Sequence, residues 1–294
     1  MCIRDRLNID WNLKNISEKN YSLEISKFRR YLMDKGFRES TIEGYVGNVH
    51  RYLEFSNAIK PTAKDIENFR GYLYTKNLSR STSNQYAYAI KAYHQMLGDQ
   101  VEFARITPNN TIPYFFSTEE INKIFSVIYN LKHLAMLKTL FFGCLRASEL
   151  CGLDDEDLDL KNLTVRIRNG KGGKDGIAFI SDECASILKE YLEIRPQLEI
   201  KGRRPLFYTD FGNCWRREDL HHMFTTYKKR AGIEKRGGVH VFARQSTATM
   251  MIANGADISV VRHLLRHSDI RTTLRYIIVS DKMKRDKYEK FLIL

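Results

Sequence analysis

The chain has 294 residues, of which 43% are hydrophobic and 28% are charged, a composition that is typical of a folded globular protein and argues against an intrinsically disordered one. Its 48 lysine and arginine residues exceed its 35 aspartate and glutamate residues, and the net charge of +13 favours a polyanionic partner such as nucleic acid. No apolar run approaches the roughly 18 residues that span a bilayer, and no signal peptide is visible, so we expect a cytoplasmic protein.

The five cysteines and eight histidines predict neither a disulfide framework nor a metal site. The number of cysteines is odd, and no two of them are spaced as C-x-x-C, which is typical of free thiols in a reducing compartment. No H-E-x-x-H motif or Cys/His ligand set accompanies the histidines. We therefore expect a protein without a metal ion or other cofactor.

Residues 21–100 carry the apolar spacing of four amphipathic helices. The first helix is expected to end at Gly36, and Ser40-Thr41 is expected to cap the second. Pro61-Thr62 is expected to begin the third helix, and Ser81-Thr82 is expected to cap the fourth. The pattern predicts a helical N-terminal domain.

The predicted starts of the second and fourth helices combine basic, hydroxyl and amide side chains. Helix N-termini bind phosphates through backbone N–H groups. Together with the basic charge, this indicates candidate DNA contacts at Arg38, Ser40, Arg80, Ser81, Ser83, Asn84 and Gln85. For any one of these residues alone, a solvated surface position is the simpler interpretation.

The rest of the chain divides into a leader, a linker and a second domain. Residues 1–20 are polar and are interpreted as a leader. Residues 101–116 contain two prolines and lack a helical stripe, which indicates an interdomain linker. We expect the second domain to cover residues 117–294, to start with a helix at Ser117 and to end in a short amphipathic tail helix.

One stretch of the second domain has the pattern of a β-hairpin. Residues 163–168 alternate apolar and polar side chains, and residues 177–180 return after a glycine-rich turn. The turn carries Lys171 and Lys174, which either enter a DNA groove or are simply solvated. Its spacing is not that of a nucleotide-binding P-loop, which argues against an ATPase.

Two arginines of the second domain lie in or beside apolar segments. Arg146 follows an apolar stretch, and such a guanidinium either pairs with an acid, here Glu149, or binds a phosphate with its planar donors. Arg244 lies four residues after His240, so the two would share one face of a helix. Each of these residues, taken alone, is compatible with a structural role.

Together these segments resemble the sequence boxes of the tyrosine recombinases of the phage-integrase and Xer-like family. Residues 143–150 read GCLRASEL, similar to the G-L-R-x-S-E-L box, and residues 170–174 resemble the G-K-G-x-K hairpin. Residues 264–267 and 272–276 resemble the L-G-H and T-T-x-x-Y boxes. The likeness covers residues 21–280. It implies a mainly α fold with a small β-sheet, in which a helical, SAM-like core-binding domain precedes a mixed α+β catalytic domain.

Two departures from the family pattern concern the site. The family usually has H-x-x-R, whereas three residues separate His240 from Arg244 here. The extra residue can be absorbed if His240 lies at a helix entry; otherwise the proton-transfer group is displaced and activity is weakened. Arg266 also replaces the customary glycine before His267, which adds a bulky cation.

The resemblance implies a site-specific recombinase or integrase that cleaves and rejoins duplex DNA through a 3′-phosphotyrosyl intermediate. It implies these roles for the matching positions: Tyr276 as nucleophile, Arg146, Arg244 and His267 on the phosphate, His240 in proton transfer, and Lys171 as general acid with Lys174 as the alternative. It also implies a homotetramer, or a heterotetramer with a paralogue, on paired DNA sites. The tail helix then packs either on a neighbouring protomer or in cis.

Two other functions are compatible with these residues. A type IB topoisomerase uses the same tyrosine chemistry, but the helical N-terminal domain and the ordered boxes favour recombination. A DNA-binding protein with an impaired catalytic centre is supported by the H-x-x-x-R spacing alone. Mobile-element integration and chromosome-dimer resolution are equally compatible with the sequence, as are many DNA targets.

Overall fold

A computed structural model describes residues 21–102, 114–168, 175–274, 276 and 288–289. The chain forms two compact units, which divide between Asn110 and Thr111. The predicted leader, most of the predicted linker and most of the predicted tail helix lie outside the described residues, as do Lys171 and Lys174.

Four helices make up the described part of the first unit. Their bounds are α1 Ser22–Asp34, α2 Glu39–Ser56, α3 Ala63–Thr75 and α4 Arg80–Leu97. α2 packs against both α4 and α1. The interior is rich in aromatic rings, and Phe28, Tyr52, Phe69 and Tyr93 are almost fully buried. The predicted helical N-terminal domain is therefore confirmed, and its stability comes from these amphipathic faces packing together.

The third and fourth helices are capped by hydroxyl side chains. Thr62 is the N-cap residue of α3, in agreement with the predicted helix start, and the Thr62 hydroxyl and the Asp65 carboxylate form a reciprocal capping box. The prediction that Ser81 and Thr82 cap α4 is wrong. Ser79 takes that position because its Oγ accepts a hydrogen bond from the backbone N–H of Thr82 at 3.1 Å.

α2 begins without a side-chain cap, so the prediction that Ser40 and Thr41 cap it is also wrong. The backbone of Arg38 is extended, and its carbonyl oxygen accepts the first helical hydrogen bonds, one of them from the Thr41 N–H. Ser40 and Thr41 therefore lie within the first turn. Glu39 is favourable there because the helix N-terminus carries a partial positive charge.

The second unit contains eight described helices around a large apolar core. These are α5 Thr118–Ser126, α6 Leu131–Phe142, α7 Ala147–Cys151, α8 Asp182–Ile194, α9 Arg217–Arg230, α10 Thr247–Ala253, α11 Ile258–Leu264 and α12 Ile270–Leu274. A π-helix, Val241–Ser246, leads directly into α10, and a 3₁₀ turn spans Asp155–Asp157. Ser117 caps α5 through a capping box with Glu120, in agreement with the predicted helix start.

A three-stranded antiparallel sheet in the order β1-β2-β3 belongs to the second unit. Its strands are β1 Leu158–Asp159, β2 Thr164–Ile167 and β3 Gly176–Phe179. Val165 pairs with Ala178, and both are buried, whereas the neighbouring pair Arg166 and Ile177 is exposed on the opposite face. The predicted hairpin is confirmed, and the short β1 widens it into a sheet.

Acidic side chains bind Arg168, which directly follows β2. Arg168 donates to Asp157 through Nε at 2.6 Å and Nη2 at 2.7 Å, and to Asp154 at 3.0 Å. Arg203 also donates to Asp154, at 2.9 Å. Both carboxylates are buried, and breaking a buried ion pair strongly destabilises a fold. The network therefore ties the hairpin to the 3₁₀ turn.

The cysteines and the helix lengths bear on two expectations from composition. The cysteines in the described part of the chain are free thiols: Cys144, Cys151, Cys184 and Cys214. No described helix is both long and apolar enough to cross a membrane.

The cap of α4 yields a testable prediction. Ser79→Ala removes the capping oxygen and should destabilise the helix by about 1 kcal/mol, which corresponds to roughly fivefold faster amide exchange in peptides from α4. Ser81→Ala is the matched control, because that hydroxyl is no cap and alanine favours a helix. Hydrogen–deuterium exchange measured by mass spectrometry checks both. Faster exchange in Ser81→Ala than in Ser79→Ala would contradict the observed cap.

Candidate active site

The backbone between α6 and α7 positions Arg146 in the site. Gly143 ends α6, and a Cβ at this position would lie 2.8 Å from the carbonyl oxygen of Thr139, so only glycine fits. Cys144 then adopts a φ of +47°. Arg146 follows as the N-cap residue of α7, with a partly buried side chain.

Glu149 binds both the backbone and the side chain of Arg146. One carboxylate oxygen accepts the Arg146 backbone N–H at 2.8 Å, and the other accepts Nη1 of the guanidinium. The Glu149 side chain is only 4% exposed. Burial opposes its ionisation, but the charge of Arg266 and the hydrogen bonds and charge of Arg146 outweigh burial and hold the Glu149 pKa below its usual value. The ion pair considered from the sequence is present, and it orients the Arg146 guanidinium.

His240 lies at the entry of the π-helix, and Arg244 lies within it. A π-helix closes N–H(i)→O=C(i−5) hydrogen bonds and so takes up one residue more than the corresponding α-helical stretch. The extra residue between His240 and Arg244 is accommodated in this way before the chain continues into α10. A Cβ on Gly238 would lie 2.4 Å from the His221 ring, so glycine permits the close approach just before His240.

Arg244 is fully buried and holds two carbonyl groups. Its Nη1 donates to the carbonyl oxygen of Cys144, and its Nη2 donates to that of Leu265. Burial lowers its pKa to about 10, and the positive charges of Arg146 and Arg266 contribute. Within the described structure, its buried Nε has no hydrogen-bond partner. Because an unsatisfied buried donor is unfavourable, this guanidinium is suited to donate to an anion.

Arg266 brings a third guanidinium to the same place. Its Nη2 donates to Glu149 at 2.7 Å and to the carbonyl oxygen of Cys144 at 3.3 Å. Its φ of +52° lies in the left-handed region, which costs a residue with a side chain roughly 1–2 kcal/mol. Its alkyl chain lies against Gly176, where an added Cβ would be 2.8 Å from the Arg266 Cδ. The chain therefore has an arginine at a position whose backbone favours glycine.

Tyr276 is buried next to a histidine. It is 6% exposed and belongs to a small apolar cluster, whose other buried members are Cys144, Ala248, Ile252, Val261 and Leu265. Its ring stacks on the His267 imidazole, with 6.2 Å between the ring centroids and 25° between the planes. A 2.9 Å hydrogen bond joins His267 Nδ1 and the Thr273 hydroxyl, and it orients the imidazole.

Cys144 and Leu265 connect the arginines to the tyrosine. The Cys144 carbonyl oxygen accepts hydrogen bonds from Arg244 and Arg266, while the residue itself belongs to the apolar cluster of Tyr276. Leu265 has the same double role, because its carbonyl oxygen accepts from Arg244. The tyrosine and these arginines thus share two supporting residues.

His240 belongs to the same electrostatic environment, although the residue is exposed. Partial desolvation by the surrounding protein lowers its pKa, and the positive charges of Arg244 and Arg146 lower it further. The imidazole is therefore neutral at neutral pH and able to accept a proton. Lys171 and Lys174 lie outside the described residues, and their roles stay predictions.

The candidate DNA contacts of the first unit differ in exposure. Arg38, Ser40, Arg80, Ser81 and Gln85 are exposed, and Ser83 is partly buried. Asn84 is only 8% exposed and lies among the buried residues of α4. Asn84 is thus the least exposed of these candidates. The DNA contacts of all of these positions stay predictions.

Two features of the site are not predicted from the sequence. Glu149 is shared by two arginines, and one of them, Arg266, lies 117 residues away along the chain. The carbonyl oxygen of Cys144 serves as a common acceptor, and a backbone acceptor leaves no mark in a side-chain pattern. The replaced glycine at Arg266 was the sole sequence signal that this position is unusual.

Family models match both units of the chain. The model described as the phage integrase family matches residues 115–283, which is more than half of the chain. The chain belongs to the phage integrase family. The model of the phage integrase N-terminal SAM-like domain matches residues 25–103 of this family member.

Similarity of this integrase-family chain to curated relatives extends over most of its length. It is 30% identical over 276 residues to the tyrosine recombinase XerA of Pyrococcus horikoshii, covering 90% of this chain and 92% of the relative. It is 31% identical over 288 residues to XerA of Pyrococcus furiosus, covering 94% and 97%. It is 28% identical over 294 residues to the tyrosine recombinase XerD of Oceanobacillus iheyensis, covering 91% and 97%.

Solved structures have the same fold as this family member. The crystal structure of XerA recombinase superposes with a TM-score of 0.56 at 25% identity, covering 93% of this chain and 99% of that one. The Tn1549 transposon integrase in complex with transposon right end DNA superposes with a TM-score of 0.73 at 18% identity, covering 92% and 99%. These superpositions confirm the predicted fold class.

The environment of His240 yields a prediction. Arg146→Gln removes one of the positive charges that lower the His240 pKa, so this pKa should rise toward the ordinary value of about 6.5. NMR titration of the imidazole resonances measures the change, and the resonances of His50, in the other compact unit, should be unaffected. An unchanged His240 pKa would show that Arg146 and His240 do not share one site.

Proposed function

We propose that the protein is a site-specific tyrosine recombinase that cleaves and rejoins duplex DNA through a 3′-phosphotyrosyl intermediate. The observation that carries the proposal is a surplus of positive charge beside a buried tyrosine. Within the described site, three guanidinium groups lie around the carboxylate of Glu149: those of Arg146, Arg244 and Arg266. Tyr276 packs with residues that hold two of them. A DNA phosphodiester supplies the anion that balances such a group.

Arg146 and Arg244 bind the non-bridging oxygens of the phosphate. The buried Nε of Arg244, which lacks a partner among the described residues, is satisfied by such an anion. Negative charge increases on these oxygens as the phenol attacks, and preorganised guanidinium groups stabilise that charge. Both arginines are already held by carbonyl or carboxylate groups, so little reorganisation is needed when the reaction occurs.

Tyr276 attacks phosphorus with its phenolic oxygen. A free phenol has a pKa of about 10, and neighbouring cations favour its ionised form. His240 is neutral at neutral pH because its pKa is lowered, and it accepts the phenolic proton. His267, stacked on the Tyr276 ring and oriented by Thr273, donates to the phosphate.

Each chemical step exchanges one phosphoester bond for another. The Tyr276 oxygen replaces the 5′-oxygen on phosphorus, and the leaving 5′-oxygen takes a proton from a general acid, a role in which the family resemblance indicates Lys171. A 5′-hydroxyl of the partner strand then attacks the phosphotyrosyl bond and releases the tyrosine. Rejoining needs no ATP, since the energy of the original ester is retained in the phosphotyrosyl bond.

Duplex DNA is the proposed partner. The net charge of +13 favours it, and the Tn1549 transposon integrase and XerH recombinase, which have the same fold, were solved with DNA bound. We further propose a core-binding domain over residues 21–100, a catalytic domain over residues 117–294, and a cytoplasmic tetramer acting on paired sites. The π-helix offers a physical way to accommodate the unusual histidine–arginine spacing, which supports an active centre over a binding-only protein.

Replacing the nucleophile tests the function. Tyr276→Phe removes the attacking oxygen and keeps the ring, so it should abolish covalent attachment to DNA and leave duplex binding little changed. A binding duplex is selected from a random-sequence pool, and nicked versions of it trap covalent complexes that denaturing gels resolve. Tyr129→Phe, at a 92% exposed tyrosine of the same unit, is the control and should attach normally. The recombinase proposal fails if the wild-type protein attaches to none of the nicked duplexes.

Removing one phosphate-binding cation should slow attachment. Arg146→Gln should lower the single-turnover rate by on the order of 10²–10³, as expected for the loss of one preorganised donor to a developing oxyanion. Arg216→Gln is the matched control, because it removes an exposed arginine of the same unit. Equal attachment rates in the two variants would show that Arg146 does not take part in catalysis.

A further inference from the structure

Arg266 is the cation of the site to which the mechanism above gives no role. Its Nη1 donates to the carbonyl oxygen of Leu264 at 3.2 Å, and its Nη2 donates to Glu149 and to the carbonyl oxygen of Cys144. Its buried Nε has no hydrogen-bond partner among the described residues. Both terminal nitrogens of the guanidinium are thus bound by protein groups. A left-handed arginine with a mostly buried charge is locally unfavourable, so its contacts must stabilise something else.

Arg266 contacts the supports of both phosphate-binding arginines. On one side, its side chain binds Glu149, and its backbone carbonyl oxygen accepts Nη2 of Arg146 at 3.4 Å. On the other side, it shares the carbonyl oxygen of Cys144 with Nη1 of Arg244. The partner groups of Arg146 and Arg244 are therefore connected through this residue.

We propose that Arg266 is a positioning residue that keeps Arg146 and Arg244 correctly placed on the scissile phosphate. This inference rests on the function proposed above. One oxygen of Glu149 binds Nη1 of Arg146, and the other accepts both the Arg146 backbone N–H and Nη2 of Arg266. Without Arg266, Glu149 would be able to form a two-point ion pair with the Arg146 guanidinium. A protein carboxylate would then compete with the DNA phosphate for the same donors.

The same side chain also reaches the sheet. An added Cβ on Gly176 would lie 2.8 Å from the Arg266 Cδ, so a larger residue at that position would force the arginine side chain to move. Gly176 begins β3. Arg266 therefore also packs against the start of β3 and connects this strand to the site.

The first experiment separates charge, geometry and folding. Arg266→Met keeps an unbranched apolar side chain and removes the guanidinium. Arg266→Lys keeps the positive charge but loses the planar set of donors. Arg216→Met removes an exposed charge and is the matched control. Each protein is measured for affinity to the selected duplex and for the single-turnover rate of attachment. The rate is measured on the natural phosphodiester and on a scissile methylphosphonate, which lacks one negatively charged oxygen.

We expect Arg266→Met to lower the rate on the phosphodiester by on the order of 10- to 100-fold, because misplaced catalytic groups slow a reaction without preventing binding. Duplex affinity should be nearly unchanged. The defect should shrink on the methylphosphonate, since the charge that the arginines stabilise is reduced. Arg266→Lys should fall between wild type and Arg266→Met.

Three results would overturn the inference. They are a rate equal to that of the Arg216→Met control, a loss of affinity as large as the loss of rate, and an equal defect on the two substrates. If the wild-type protein attaches to DNA and one of these results is found, only the role of Arg266 falls. If the wild-type protein does not attach, the proposed function fails, and the role of Arg266 fails with it.

A double-mutant cycle tests the contact with β3. Gly176→Ala should destabilise the protein that has Arg266, because the new methyl group meets the arginine side chain. In an Arg266→Gly background the same change should be tolerated, since the space is open and glycine suits the positive φ. Urea unfolding midpoints measure the four proteins. If the effects of the two substitutions on stability are additive, Arg266 does not interact with the start of β3.

Discussion

Two guanidinium groups share the buried carboxylate of Glu149, and the described site depends on this sharing. A site for a phosphate must hold several cations close together, but those cations repel one another before the phosphate arrives. Glu149 offsets part of this repulsion, and the carbonyl oxygens of Cys144 and Leu265 offset more. The remaining positive charge is left for a ligand. Burial lowers the pKa of Arg244, and the same crowding of positive charges lowers it further.

Irregular backbone is concentrated in the segments that build this site. Cys144 and Arg266 have positive φ values, and the chain between His240 and α10 forms a π-helix. Each of these conformations is less favourable than a regular one. The two residues with positive φ point carbonyl groups at the arginines: the Cys144 carbonyl accepts from two of them, and the Arg266 carbonyl accepts from Arg146. The residues with strained backbone therefore also supply the acceptors that hold the arginines.

The helices and the hairpin were predictable because their apolar spacing is local. Periodicities of about 3.6 residues for a helix and two for a strand are visible in short windows of sequence. The helix caps were less predictable, since several hydroxyl residues compete at each start. At α4 the serine at position 79 captures the helix N–H groups, and the Ser81-Thr82 pair enters the first turn. Burial of Asn84 likewise depends on how α4 packs, which its neighbours in sequence do not reveal.

The sequence by itself determined the fold class, the family and the residue types available for phosphate chemistry, because these follow from local spacing and from boxes of consecutive residues. It also marked the unusual spacing before Arg244 and the unusual arginine at position 266. Only the tertiary structure decided what these departures do. The π-helix accommodates the first, and a carboxylate 117 residues away binds the second. Hydrogen-bond partners of buried charges are chosen by packing, which brings distant segments together and excludes the water that would otherwise replace them.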